Sequence, residues 1–217
     1  MAQNSQVVLE PRKSPVQARS VASVDAILEA TIQVLLREGK ERLTTTRVAL
    51  RAGVSVGTLY QYYPNKSALL QAALKRHLDE VTGAVERACR EQKGKTPALM
   101  ATALVTSFLE AKMRNGEASV ALYSVSSDVD GAKIVRQMGV RCNKAIVGML
   151  ATTREPLTRD LQLVASMLQD AMAGVSRRLL ESSAPAKKFD TLQQELIFFA
   201  CAYLEACVQE SLVQAAR

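Results

Sequence analysis

The stretch "TTTRVALRAGVSVGTLYQYYPNKSALL", Thr44 to Leu70, decides the fold. Thr44 can cap a short helix over Thr45–Ala52 that buries Val48, Ala49 and Ala52 on one face. Gly53 can take the left-handed conformation that ends a helix, and Val54 can plug the turn. Ser55 can cap a second helix over Val56–Tyr62, which Pro64 closes. Asn65 or Pro64 then opens a long helix from Lys66 to about Arg90. Two short helices joined by a three-residue turn containing glycine form a helix-turn-helix. In that arrangement Leu59 anchors the second helix inward. Val56, Gly57, Thr58, Tyr60 and Gln61 face outward, small or hydrogen-bonding, and Gln61 suits an adenine edge in the major groove.

Charge supports the same reading. From Arg42 to Leu78 the chain carries six basic residues (Arg42, Arg47, Arg51, Lys66, Lys75 and Arg76) and no acid, where the chain-wide frequency predicts about three or four. Such a window suits a surface facing phosphates, where each carboxylate would repel. Thr44, Thr45 and Thr46 sit at a helix N-terminus, where hydroxyls and free N–H groups attract anions, and Lys66 adds its charge at the next helix start. Tyr60 and Tyr62 offer hydroxyl donors; Tyr63 reads as packing for the small core. The candidate DNA-contacting set is Arg19, Thr45, Thr46, Arg47, Ser55, Val56, Gly57, Thr58, Tyr60, Gln61, Tyr62 and Lys66.

The stretch resembles the DNA-binding motif of TetR-type transcriptional regulators, from the threonine-rich helix start through "AGVSVGTLYQYYPNK", and the upstream "RKSPVQARSVASVDAILEA" resembles the basic lead-in of many members. The likeness covers roughly 50 residues, from about Val21 to Leu70. It implies a ligand-responsive repressor that binds a palindromic operator in double-stranded DNA as a homodimer and is released by a small-molecule effector. By position in the motif, Thr45, Tyr62 and Lys66 would hold phosphates, and Val56, Gly57, Thr58, Tyr60 and Gln61 would face the groove. No cofactor or metal is implied.

Outward from the motif, the 217 residues are 48% hydrophobic and 23% charged, only 4% aromatic, and formally +7. Abundant Ala, Leu and Val favour helix, and the basic balance favours an anionic partner. Residues 1–20 read as a flexible basic arm without the apolar core of a secretion signal. The longest apolar run, Leu196 to Leu204, is too short for a bilayer, which needs about 20 residues, so no membrane role and a cytoplasmic location are expected. Cys89, Cys142, Cys201 and Cys207 show no ligand spacing and read as reduced core thiols, with nothing beside Cys142 to lower its pKa for redox sensing. A helix over about Val21–Glu38, stopped by Gly39, precedes the motif. Helices near 97–113, 117–126, 129–151, 156–181 and 187–214 follow it, and no strand alternation or repeat appears. The expectation is an all-α chain of about nine helices: a basic arm (1–20), a three-helix DNA-binding domain (21–66), and a helical effector-binding and dimerisation domain (67–217).

The last two helices are apolar on two sides, so one side meets the chain's own core and the other wants a partner chain. A four-helix interface across a two-fold axis is expected, built on Leu161, Leu168, Met172, Val175, Phe199 and Tyr203. Large or adaptable side chains mark a candidate effector pocket: Met100, Phe108, Met113, Tyr123, Met138, Met149, Met167 and Phe198, with Asp170 for a cationic effector or for an arginine across the dimer. Arg136 and Arg141 read as solvated helix charges. The sole histidine, His77, lies beside Lys75 and Arg76 and reads as a cationic surface position. Without a second histidine, a nucleophile turn or a glycine-rich phosphate loop, no catalytic constellation assembles. Two other readings are a DNA-organising protein without a ligand cavity and a surface-binding adaptor whose binding ignores salt.

Overall fold

The computed structural model describes residues 18–126 and 129–208, with backbone alone for 18 and 19, so the expected N-terminal arm falls almost wholly outside the described residues. Among those residues nine helices follow one another: α1 (Ala18–Arg42), α2 (Thr45–Ala52), α3 (Val56–Tyr62), α4 (Lys66–Glu91), α5 (Pro97–Arg114), α6 (Gly116–Ser124), α7 (Gly131–Leu150), α8 (Leu161–Leu180) and α9 (Pro185–Glu205). The only bridge between extended segments among them joins Leu157 to Val208. The all-α expectation holds. Among the described residues no helix is long and apolar enough to cross a membrane.

Two compact units result. The first holds the described residues up to Leu78 together with Glu117–Val135; the second holds Asp79–Gly116 and the chain from Arg136 onward. Helix α4 is continuous from one into the other. In the first unit Ile27, Leu43, Val48, Leu59, Leu69 and Leu74 are essentially removed from water. In the second, Met100, Leu104, Leu109, Ile146, Met149, Leu168 and Leu204 belong to one buried cluster. At about 25 cal/mol per Å² such side chains each contribute roughly 1.5–3 kcal/mol, which sets the helix faces against each other.

Helix ends follow their local chemistry. Gly39 (φ 76, ψ 169) breaks α1 where the glycine was expected to stop it, and a further helical turn follows to Arg42. The last two helices differ from expectation at their ends. α8 starts at Leu161 because Asp160 caps it, its carboxylate accepting from the Leu163 N–H at 2.8 Å. The preceding Leu157 is extended against Val208, and the Thr158 N–H donates to the Cys207 carbonyl at 2.8 Å. The same pairing takes the chain out of the helix after Glu205, well short of the expected 214; residues 209–214 lie outside the described ones. Gly131 opens α7 because nothing larger fits: a Cβ there would lie 2.5 Å from the Ser126 carbonyl oxygen.

Candidate nucleic-acid interface

Helix α2 begins as its sequence demands. Thr44 is extended (φ -129, ψ 153) and its hydroxyl accepts from the Arg47 N–H at 3.3 Å, a bond that stabilises a helix start by about 1 kcal/mol. At the other end Gly53 is left-handed (φ 68, ψ 28) and donates to the Ala49 and Leu50 carbonyls, while the Val54 N–H returns to Ala49 at 3.0 Å. A side chain at Gly53 would be strained there, so the turn between the two helices depends on glycine. Ser55 restarts the chain: its hydroxyl accepts from the Thr58 N–H at 2.9 Å and lies 2.8 Å from the Thr58 hydroxyl. Asn65 opens α4 in the same manner, its side-chain oxygen accepting from the Ala68 N–H at 2.8 Å.

These caps orient α3. Leu59 is fully buried, and Tyr62 and Tyr63 are buried beside it. Burial pushes the Tyr63 phenol up to about 12, with the nearby Arg76 charge acting in the opposite sense, in keeping with a packing role. Gly57, Tyr60 and Gln61 are exposed, Val56 and Thr58 half-buried. The Tyr60 hydroxyl lies 3.0 Å from the Thr45 hydroxyl, so the outward face of α3 and the N-terminus of α2 form one surface. Thr46, Arg47 and Ser55 are exposed on the same two helices, and Thr45 is half-buried. Of Arg19 the side chain lies outside the described residues.

The glycine at 57 serves nothing inside the chain. A Cβ there would meet only the Ser55 hydroxyl, at an ordinary 3.7 Å, so the packing would accept alanine. What its absence permits is close approach from outside.

The cationic window is less bare in space than in sequence. Helix α1 supplies the missing acids: Glu38 pairs with Arg47, and Asp25 and Glu29 approach Arg76 at 3.5 and 3.4 Å. Arg51 donates to the Gln33 side chain at 2.7 Å. Lys66 donates to the Lys40 carbonyl at 2.5 Å, which ties the start of α4 to the end of α1. These pairings span up to 51 residues of sequence, so no local pattern could announce them.

Several other assignments change. His77 is not a surface cation but 3% exposed, with Nε2 2.7 Å from the Ser119 hydroxyl, because its position falls on the inward face of α4 between Ala73, Leu74 and Val81. Arg141 is not simply solvated: it donates to Glu86 at 3.1 and 3.0 Å and to Asp79 at 2.5 Å, two turns apart on α4. Those hydrogen bonds push its pKa further up. Arg136 is exposed. Burial raises the Cys142 thiol, against a hydrogen bond from Thr82, so its thiolate is disfavoured. Lys112 on α5 carries no mark in the sequence pattern. It is 6% exposed, and burial pulls its pKa down to about 8, the nearby Cys142 acting in the opposite sense.

The pocket set divides. Met100, Met138 and Met149 are buried, Phe108 and Met113 half-buried, but Met167, Asp170 and Phe198 stand exposed on α8 and α9 and Tyr123 on α6. The dimer set divides the other way. Phe199 is exposed and stacks on the half-buried Tyr203 at 6.3 Å, and Leu161 and Val175 are half-buried. Leu168 and Met172 lie within the chain's own core.

Comparison with known proteins agrees with this geometry. Residues 27–73 match the family described as bacterial regulatory proteins, tetR family, and residues 96–204 match the tetracyclin repressor-like C-terminal domain. The chain is 31% identical over 182 residues to the HTH-type transcriptional repressor KstR of Mycobacterium tuberculosis, covering 79% of each. It is 33% identical over 90 residues to the nucleoid occlusion factor SlmA of Actinobacillus pleuropneumoniae, covering 41% of this chain and 44% of that one. Among solved structures its fold matches SmeT, the repressor of the Stenotrophomonas maltophilia multidrug efflux pump SmeDEF, with a TM-score of 0.64 at 20% identity over 88% of this chain and 93% of that one. It also matches a TetR-family regulator of Mesorhizobium loti, with a TM-score of 0.68 at 16% identity over 88% and 96%.

Proposed function

This chain belongs to the TetR family of bacterial regulatory proteins and is a DNA-binding repressor, not an enzyme; from that premise we propose that two copies read a palindromic operator and let go when a small molecule binds. The carrying observation is the outward face of α3, where Gly57, Tyr60 and Gln61 are presented by a helix fixed at both ends by its caps. In the proposed complex Gln61 reads a base edge, Val56 and Thr58 meet the groove wall, and the missing side chain at Gly57 lets the backbone approach. Thr45, Thr46, Arg47, Ser55, Tyr62 and Arg19 position the reader on phosphates. Lys66 joins them by exchanging its Lys40 contact for a phosphate.

A single reader has too little surface for a specific site. The second copy is held by the exposed apolar face of α8 and α9, where Leu163 (58%), Met167 (48%), Phe198 (72%) and Phe199 (48%) are left in water. Ala173, Gly174 and Ala202 are exposed on the same helices and permit close helix approach. Burying this face on its two-fold copy places two readers in successive major grooves, about 34–36 Å apart. The DNA-binding part (21–66) lies within the first unit, which also takes in the start of α4 and Glu117–Val135, while effector and dimer binding fall to the second, and the protein acts in the cytoplasm. The effector is largely apolar and is held among Met100, Phe108, Met113, Met138 and Met149. It acts by binding one setting of α4 better than the other.

Selection of bound duplexes from a random pool tests this, repeated with candidate effectors. The expected product is an inverted repeat whose half-sites lie one helical turn apart, and which a true effector releases. Recovery of single, unpaired half-sites would refute the dimeric reading.

A further inference from the structure

Where α1 and α2 meet, a groove of about 550 Å³ opens at the surface of the first unit. Val34, 4% exposed, lies at its bottom, and Leu50 stands in its wall 83% exposed, the highest value of any large apolar side chain among the described residues. Arg37, Arg51 and the Arg47–Glu38 pair line the rest, so three guanidinium groups face one carboxylate. None of this follows from the demands of the helix-turn-helix. α2 turns Val48 and Ala49 into the core, and a polar residue at 50 would serve the fold equally well.

We propose that this groove is a docking surface for an acidic protein segment that carries one large apolar side chain. Charge selects the occupant. The lining is net positive, so the matching groove of a second copy is repelled from it. A DNA backbone would satisfy the arginines but offers nothing apolar to Leu50, and seating a leucine among phosphates gains no burial. An acidic segment satisfies both demands. Its apolar side chain fills the space between Leu50 and Val34, and its carboxylates take bidentate bonds from Arg37 and Arg51. The surface is thus a second recognition site on the DNA-reading unit, for a protein, and shares only Arg47 with the residues proposed to meet the operator.

Fluorescence anisotropy on the full chain tests the proposal. The probe is a short fluorescein-labelled peptide of aspartates and glutamates around a central Phe-Leu pair, with a control peptide in which serines replace that pair. Leu50→Ser and Arg37→Glu should each weaken the probe at least about tenfold, as should the serine control, while duplex affinity and the thermal melt of Leu50→Ser stay unchanged. Leu50 is too exposed for its loss to threaten folding. Four results overturn the proposal: no saturable binding of the probe, equal binding of the serine control, no effect of Leu50→Ser on the probe, or a matching loss of duplex affinity. The last would assign the face to nucleic acid. None of these outcomes touches operator reading by α3, which the duplex measurement follows separately.

Discussion

Neighbouring residues on α3 and on α8 show two ways of finishing a helix. On α3, Leu59 is fully buried and Tyr60 beside it presents a hydroxyl 3.0 Å from Thr45, so the inward face is apolar and the outward face can be solvated. On α8, Leu168 is 1% exposed, yet Met167 beside it is 48% exposed and Leu163, one turn away, 58%. The first helix is complete within one chain and waits for a polar partner. The second has satisfied its own core and still shows an apolar stripe to water, the face proposed to meet a second copy. The surface proposed to read an anion and the surface proposed to meet its copy therefore differ in the side chains they leave outside.

The strongest way to break this contrast is to charge the second surface. Met167→Glu together with Phe198→Glu should leave a folded monomer in sedimentation equilibrium, and operator affinity should fall about 10²–10⁴-fold as the second half-site loses its tether. Persistence of the dimer would remove the exposed stripe from the interface. Leu168→Ala, one residue away, should do the reverse: a loss of about 2–5 kcal/mol in urea melts with no change in association. If Leu168→Ala also dissociated the dimer, the division between inner and outer stripes would be wrong.

Periodicity made α2 and α3 legible because their caps, turn and anchor all lie within a few residues of each other. It failed on α8 and α9 for a physical reason. A helix apolar on two sides states that both are covered and not by what, so Leu168 and Met172 were expected at the partner and Met167 and Phe198 in a pocket, whereas the chain buries the first pair and exposes the second. Asp170 was the available signal. An acid on the stripe of Leu163, Met167 and Gly174 marks the side that the chain's own core does not take. His77 misled because its charged sequence neighbours point elsewhere on the helix. Lys112 was passed over because its burial depends on helices distant in sequence.

Lys112 extends the comparison to a charge inside the second unit. Its folded pKa of about 8 lies below the ordinary 10.5, so the cost of burying the ammonium is fully present below pH 8 and is relieved as pH rises toward 10.5. At about 1.4 kcal/mol per pH unit the whole shift corresponds to about 3 kcal/mol. The stability difference between Lys112→Met and the parent should therefore move in the parent's favour by up to this amount between pH 8 and 10.5 in urea melts. A constant difference across that range would show that the charge is not what burial opposes.

On the reading surface the expected effects are smaller and do not touch stability. Gln61→Ala should cost about 1–3 kcal/mol of discrimination at one base position, with the preference elsewhere intact. Gly57→Ala should melt as the parent does, since its Cβ meets only an ordinary 3.7 Å contact, yet bind the operator more weakly. If Gly57→Ala bound as well as the parent, the backbone of α3 would stand off the DNA.

Lys66 has two competing roles, and its effect is the smallest. At the start of α4 its ammonium donates to the Lys40 carbonyl, an internal bond, while its place in the motif assigns it to a phosphate. The two roles separate by salt. A phosphate contact contributes about one unit to the slope of log affinity against log salt, so Lys66→Ala should flatten that slope by about one for every duplex alike. A purely internal bond would leave the slope unchanged and lower stability by about 1 kcal/mol. Measuring slope and melt on the same variant decides whether the lysine leaves Lys40 when DNA arrives, and hence whether the tie between α1 and α4 is rearranged by binding or already stands as the operator requires.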